Sequence, residues 1–417
     1  MSELKAMAPG SGRVVEPLRN RDFLLLWTGQ TLSAVGDPVF PVAIAFLVMD
    51  RHLGVAGLGA VFAARSFAVV LAVLFGGVLA DRFKRKHVMI GADLLRAGAL
   101  LGIVLLANSA GAALVSTFAF VIGLGEAMFR PAYSALVPTL LPAAHLQMAN
   151  SLTSVSSRTA AFVGPALAGV LVAVVGPRTS LAIDAVTFLA SVLTLWKVAE
   201  KSRPAGTVGQ SLLAQAREGV RVILRRRWVA IEIGVSALQV GLSLAPWLVL
   251  LPVIASGWLG GESAYGTLLT AMGGGALIGA LVAGRLRVRS TGVVACLSLL
   301  PFSLALTALA VHAPLPVLVV LHVVAGMGVE IYGVLWVSAV QLEFEPAVLG
   351  RVFAVDELGS KVLLPLGMVV VAALADARTS TVVLLVAAVV NVLTSVLPLV
   401  LRDVRVFASS TPVVAKS

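Results

Sequence analysis

A small set of ionisable residues stands inside long apolar stretches of this chain: Asp37, Arg65, Asp93, Arg96, Glu126, Arg130, Arg158, Asp184, Glu232, Glu330, Asp356, Glu357 and Lys361. A charge removed from water is expensive unless it is paired, so such residues are functional or partnered by default. Burial favours the neutral form of a carboxylic acid, and a nearby guanidinium favours the ionised form. A carboxylate held between those two influences can take up and release a proton. Asp37 and Glu126 fit that description and are the expected proton-coupling pair, with Arg65 and Arg130 as their charge partners. Glu126 and Arg130 are spaced i,i+4 on one helix face. Arg65 lies at the depth of Asp37 and is expected to pair with it. Arg158 and Asp184 are expected to bridge neighbouring helices. Asp93 with Arg96, and Glu357 with Lys361, read as local i,i+3 and i,i+4 pairs. Glu330, Tyr332 and Trp336 share one apolar run and are the expected cavity and substrate contacts.

Other chemistries lack their residues. No lysine follows a glycine, so there is no phosphate-cradling Gly-Lys-Ser/Thr. The five histidines are scattered, and no His-Glu-x-x-His zinc site exists. Cys296 is the single cysteine, which excludes an internal disulfide. No catalytic, cofactor-binding or metal site is expected, and the chain does not read as an enzyme.

The elements that position these charges follow from composition. Of 417 residues, 59% are apolar and 12% charged, against roughly 25% charged in a soluble domain. In lipid the backbone must satisfy its own hydrogen bonds, which leaves helices or closed barrels. Barrel strands alternate apolar and polar residues, whereas this chain has unbroken apolar runs. Each spanning helix needs roughly 20 residues. Runs at about 22–49, 55–80, 88–107, 112–136, 149–175, 179–199, 228–254, 264–284, 291–311, 315–340, 352–375 and 379–401 predict an all-α polytopic membrane protein with twelve transmembrane helices.

Arg and Lys sort the loops. Residues 1–21, the loop around Arg82 to Lys86, the segment 200–227, the cluster Arg285 to Arg289, Arg351 and the tail 402–417 carry nearly all of them. Only Arg51, Arg178 and Arg378 fall on the other side. The positive-inside rule then puts both termini in the cytoplasm, in a cell inner membrane. The net charge of +11 is explained by topology, and no nucleic-acid partner is expected. The segment Gln210–Arg227 reads as a basic amphipathic helix on the anionic inner leaflet.

The expected organisation is a cytoplasmic tail (1–21), a six-helix bundle (22–199), a cytoplasmic linker (200–227), a second six-helix bundle (228–401) and a second tail (402–417). The bundles repeat weakly at an offset of about 203 residues. Val121–Ala127 (VIGLGEA) answers Val324–Glu330 (VAGMGVE), Gly77–Arg82 (GVLADR) answers Ala280–Arg285 (ALVAGR), and Arg158 answers Lys361. Two pseudo-symmetric bundles with a site between them is a transporter plan.

After the second run comes Gly77-Val78-Leu79-Ala80-Asp81-Arg82-Phe83-Lys84-Arg85-Lys86. It resembles the loop signature of the major facilitator superfamily, with Lys84 where that family has Gly. Gly77 allows close helix approach, Asp81 can meet a helix N-terminus or an Arg, and Arg82, Arg85 and Lys86 are expected to anchor to lipid phosphates. Arg19-Asn20-Arg21-Asp22-Phe23, Arg130-Pro131-Ala132 and Ala149-Asn150-Ser151-Leu152 resemble the drug-efflux and siderophore-exporter branch. So does Gly164-Pro165-Ala166-Leu167-Ala168-Gly169, which is similar to the antiporter signature Gly-Pro-x-x-Gly-Gly. The resemblance implies the major facilitator fold. It implies a cavity lined by helices 1, 4, 7 and 10, hence by Asp37, Glu126, Arg130 and Glu330, and a loop motif that locks the packing of the two halves. It also implies export of a small amphipathic molecule (drug, antibiotic or siderophore-like) by proton antiport with alternating access. Import of a nutrient by proton or sodium symport, a non-transporting receptor and a membrane-embedded enzyme are the alternatives. The expected partners are the small-molecule substrate, protons or Na+, and lipid, and the chain is expected to be a monomer.

Tags at either terminus and within 200–227 are therefore expected on the cytoplasmic face. Labelling any of them from outside intact cells would overturn the twelve-helix reading.

Overall fold

In the computed structural model, residues 16–82, 84–106, 111–200, 212–286, 288–375 and 379–408 are described, except for the side chains of 72–82, 143–144, 147, 212–216 and 346–347. Among the described residues there are helices and turns and no strands. Eleven helices are long and apolar enough to cross a membrane. One of them, Met148–Trp196, has 49 residues. At about 1.5 Å per residue that is more than two bilayer cores. It breaks at Gly176, whose φ of 80° and ψ of 162° are open to glycine and strained for other residues. Among the described residues the spans therefore number twelve.

We number them α1 (Arg21–Asp50), α2 (Gly54–Arg82), α3 (Arg85–Leu106), α4 (Ala112–Leu140), α5 (143–175) and α6 (177–196). The second set is α7 (Arg227–Leu259), α8 (Glu262–Ala283), α9 (Thr291–Ala310), α10 (Leu315–Glu343), α11 (346–374) and α12 (Ser380–Val400). Helix α11 starts earlier than expected, at Pro346, because a proline suits a first helical turn. Packing repeats at a remove of six helices: α2 lies on α4 as α8 lies on α10, and α3 on α6 as α9 on α12. The resemblance between the halves is thus visible in three dimensions.

Small residues set the close approaches. A side chain at Gly275 on α8 would meet the Val323 carbonyl oxygen at 1.9 Å, and one at Gly326 on α10 would meet that of Met272 at the same distance. In lipid, where apolar side chains are already solvated, such backbone approach is a main source of helix association. Two seams join the halves. On one, Gly59 of α2 sits against Ala372 of α11; on the other, Gly169 of α5 sits against Gly266 of α8.

The cores show which way the molecule opens. We call the side where α1 begins and α12 ends the terminal side. On the opposite, far side one continuous core draws on both halves, from Val42, Ile44 and Phe46 of α1 to Leu250, Tyr265, Phe302 and Leu306. On the terminal side the core divides in two. One part, around Phe23, Met89 and Leu136, belongs to the first half. The other, around Trp228, Trp336 and Phe407, belongs to the second. A cleft between the halves therefore opens on the terminal side.

The terminal ends are tied by reciprocal caps. The Asn20 side chain accepts from the Phe23 amide at 3.0 Å and donates to the Leu140 carbonyl at 3.1 Å. Asp22 accepts from the Ala199 amide. These contacts account for Asn20, Asp22 and Phe23 of the Arg19–Phe23 motif. Arg85 and Lys86 do not serve as lipid anchors alone. Their backbone amides donate to the Glu200 carboxylate, and the Lys86 ammonium donates to the Trp196 and Val198 carbonyls at 2.8 and 2.7 Å. The amides at the start of α3 are thus taken by the Glu200 side chain, and the carbonyls near the end of α6 by the Lys86 side chain. The side chains of Gly77, Asp81 and Arg82 lie outside the described residues. The linker helix, Leu212–Leu224, does not simply rest on lipid: Ile223 is buried and Glu218 pairs with Arg351 of α11 at 2.8 Å.

Replacing Gly275 or Gly326 with Leu should push α8 from α10 and destabilise the protein by about 1–3 kcal/mol. Gly333→Ala, at a position with open space around it, should change thermal stability in detergent little. Equal losses from all three would remove the argument from close packing.

Candidate functional site

The first half holds a connected set of charges around a break in α1. The helix runs from Arg21 to Gly36 and resumes at Val39. Pro38 cannot donate to the ladder, and Asp37 occupies the break. The break is accommodated by Gly164 of α5, where a side chain would meet Pro38 at 2.6 Å. The glycine-proline motif thus has two contacts: Gly164 fits α5 to the Asp37 corner, and Gly169 fits it to the other half. Pro165 falls between them, and its carbonyl lies against Gly266.

Arg96 of α3 joins the acids. It donates to Asp93 on its own helix and to Asp37 at 3.5 Å. Its guanidinium lies over Phe188 at 4.1 Å and Phe129 at 5.0 Å, so aromatic faces hold a largely buried cation. Asp184 of α6 is fully buried beside Gly36, with Thr187 as its hydroxyl neighbour at 3.4 Å. Glu126 of α4 is shared. Arg65 of α2 donates to one of its oxygens at 3.0 Å and Arg130 to the other at 3.4 Å. The Arg65 guanidinium also lies over Phe40 at 4.7 Å.

The acids differ in what they can offer a ligand. Glu126 has both oxygens engaged and its side chain is 24% exposed. Asp37 has one long contact and a side chain that is 45% exposed. It faces a cavity of about 550 Å³ between α1, α3, α4 and α5. The wall is part aromatic (Trp27, Phe129, Tyr133) and part hydroxyl or amide (Gln30, Thr31, Ser134, Thr153, Ser156, Ser157). Arg130 projects into the same space and is 76% exposed. An amphipathic guest would find apolar faces, hydrogen-bonding groups of both kinds and a carboxylate in one chamber.

The structure redistributes several expected pairs. Asp37 is met by Arg96 in place of Arg65. The reason is that Gly123 lets α4 approach the backbone of Arg65, which places that side chain over Glu126. Arg158 does not meet Asp184. It reaches across the cleft to Glu330 of α10, Nη1 to Oε1 at 2.8 Å. Asp93 pairs with Arg96, and Glu357 with Lys361. Glu330 does not share a face with Tyr332 and Trp336, because at about 100° per residue these are rotated roughly 200° and 240° from it. Tyr332 instead donates to the buried Glu232 of α7 at 3.2 Å, and its oxygen accepts from the Ser236 hydroxyl. Trp336 donates to Asp356 at 2.9 Å within an aromatic cluster with Trp228 and Phe407. Trp247 of α7 is buried and donates to His322.

Sequence reasoning missed Arg96 as the partner of Asp37. The i,i+3 match with Asp93 seemed to satisfy it, yet a guanidinium has five donors and can serve two acids.

Replacing Arg65 and Glu126 with Gln, singly and together, should show coupling in thermal stability on the order of 1 kcal/mol. Additive losses would mean that the 3.0 Å contact contributes nothing beyond its two side chains.

The family described as transmembrane secretion effector matches residues 13–413. Macrolide efflux protein A of Streptococcus pyogenes is 25% identical over 366 residues, which cover 85% of this chain and 89% of that protein. Multidrug efflux pump Tap of Mycobacterium tuberculosis (strain ATCC 25618 / H37Rv) is 30% identical over 388 residues, 86% of this chain and 88% of its own length. Among solved structures, a point mutant of the nucleoside transporter NupG superposes with a TM-score of 0.75 at 14% identity, over 91% of this chain and 99% of that one.

Proposed function

This chain belongs to the transmembrane secretion effector family, a multi-pass transporter of the major facilitator superfamily and not an enzyme, and from that premise we propose that it exports a small amphipathic molecule by proton antiport with alternating access. The observation that carries the reading is the state of Asp37: half exposed to a cavity of about 550 Å³, at a break in its helix, and held by one long contact to Arg96. The efflux names of its relatives support the direction.

The two six-helix bundles, 22–199 and 228–401, are the moving bodies. The conformer with its cleft on the terminal side faces the cytoplasm, where the basic loops belong. Substrate enters the chamber there, with Trp27, Phe129 and Tyr133 taking its apolar part and Asp37 its polar or charged part. The ionised Asp37 also draws on Arg96, so substrate and proton compete for one carboxylate. After the swing, the cavity faces the other side. A proton then neutralises Asp37, loosens the substrate and frees Arg96 to answer Asp93 alone. Return of the protonated, empty carrier completes the cycle, because a neutral Asp37 crosses the hydrocarbon at less cost than a charged one. Glu126 is the second coupling acid. A proton there would release Arg130, which is already mostly exposed, and change the charge of the chamber. A ligand binding both conformers equally would shift neither, so coupling requires this difference between occupied and protonated states.

In proteoliposomes with an imposed pH gradient, Asp37→Asn is expected to abolish gradient-driven export of an amphipathic antibiotic while leaving equilibrium binding of a neutral compound within about threefold. Glu126→Gln should weaken the coupling and leave binding measurable. Active accumulation by both variants at the unmodified rate would place coupling elsewhere, and inward flux driven by the same gradient would make the protein a symporter.

A further inference from the structure

The internal repeat gives each half one cation and one carboxylate at matching depth. Arg158 lies fifteen residues into α5 (143 to 158), and Lys361 fifteen residues into α11 (346 to 361). Glu126 and Glu330 lie at closely matching distances from the terminal-side ends of α4 and α10, at Leu140 and Glu343. Arg158 and Lys361 also stand 203 positions apart, the offset of the sequence repeat. At the 203 offset Glu126 falls on Val329, one residue before Glu330, so matching depth, and not exact register, relates two cross-pairs between halves: Arg158 with Glu330, and Lys361 with Glu126. In this conformer only the first is made, at 2.8 Å. Lys361 is turned back onto Glu357 of its own helix, and Glu126 is held by Arg65 and Arg130. Yet Lys361, Arg65 and Glu126 line one cavity of about 250 Å³ between α2, α4, α7 and α11, so the second pair has its members facing a common space.

We propose that the two cross-pairs exchange during transport: Arg158–Glu330 holds the conformer open on the terminal side, and Lys361–Glu126 holds the opposite one. The proposal rests on the alternating-access reading above. Its physical logic is that neither half can leave its acid bare. The Arg130 contact to Glu126 is the long one, at 3.4 Å, and Arg130 is mostly exposed, so Lys361 can take that oxygen while Arg65 keeps the other. Glu330 has no second cation among the described residues. The positions equivalent to Arg65 and Arg130 under the repeat are Leu268 and Gly333. Parting Arg158 from Glu330 therefore calls for a proton or a cationic group of the substrate on Glu330. That requirement makes the swing conditional on occupancy. Each cross-pair is partly solvated, and each biases the conformers by a modest factor.

The test measures the separation of spin labels at Ser154 and Ser338, on α5 and α10, in lipid nanodiscs across a pH series, in a Cys296→Ala background. Arg158→Gln should lower the ratio of the wide to the narrow terminal-side separation by roughly two- to fivefold, and Lys361→Gln should raise it by a similar factor. Glu357→Gln releases Lys361 and should act like Arg158→Gln. Arg158→Lys and Lys361→Arg should stay near the unmodified ratio, which separates a charge effect from misfolding. Shifts of the same sign for Arg158→Gln and Lys361→Gln, or no shift for Lys361→Gln, overturn the exchange while leaving alternating access intact. A single, invariant separation in the protein with all its charges overturns alternating access and the exchange with it.

Discussion

A charge inside hydrocarbon has to be answered by another charge or by a proton, and the architecture of the first half can be derived from that demand. Arg96 answers Asp93 and Asp37 at once, between two phenylalanine faces. Fixing Arg96 fixes the rotation of α3 against α1 and α6. Glu126 does the same for α2 and α4 through Arg65. Arg96 serves two acids and Glu126 takes two cations, so neither of them holds a partner exclusively. Removing the charge of one changes what its neighbours must answer.

Close backbone packing supplies what the charges cannot. Glycine faces alanine or glycine along both seams between the halves, and the far side is filled by a single apolar core. Dispersion holds the closed end together, whereas among the described residues one ion pair, Arg158 with Glu330, spans the open end. The two kinds of contact differ in reach. Packing is lost within an ångström of separation, while a long Arg or Lys side chain keeps its partner through a few ångströms of movement. A hinge built from one and a tether built from the other can open at one face without falling apart.

Much of this was legible in the residues. The twelve apolar runs, the break near Gly176, the Gly-Pro motif and the repeat offset all follow from one-dimensional pattern, since length and spacing along the chain determine them. Pairing between helices did not. Which acid Arg65 meets depends on how far α2 is rotated about its axis, and one residue of phase is about 100°. Arg158 was assigned a neighbour in its own half, yet its partner Glu330 lies 172 residues away in sequence. Tyr332 and Trp336 were grouped with Glu330 by proximity along the chain, although helical geometry turns them to the opposite face. Local pairs such as Asp93 with Arg96 were readable because one helix carries both members.

The cluster around the Asp37 break contains four carboxylates, those of Asp37, Asp93, Glu126 and Asp184, against three guanidiniums, those of Arg65, Arg96 and Arg130. Fully ionised and empty, it carries one unit of negative charge. One bound proton or one monovalent organic cation makes it neutral. The membrane voltage acts on whatever net charge moves relative to the field, at about 2.3 kcal/mol per charge for each 100 mV. A cycle that trades one proton for one monocation would therefore be indifferent to voltage, and a cycle that trades one proton for a neutral guest would be driven by it. The charge of the guest therefore decides whether such a carrier draws on the electrical part of the proton gradient or only on its chemical part.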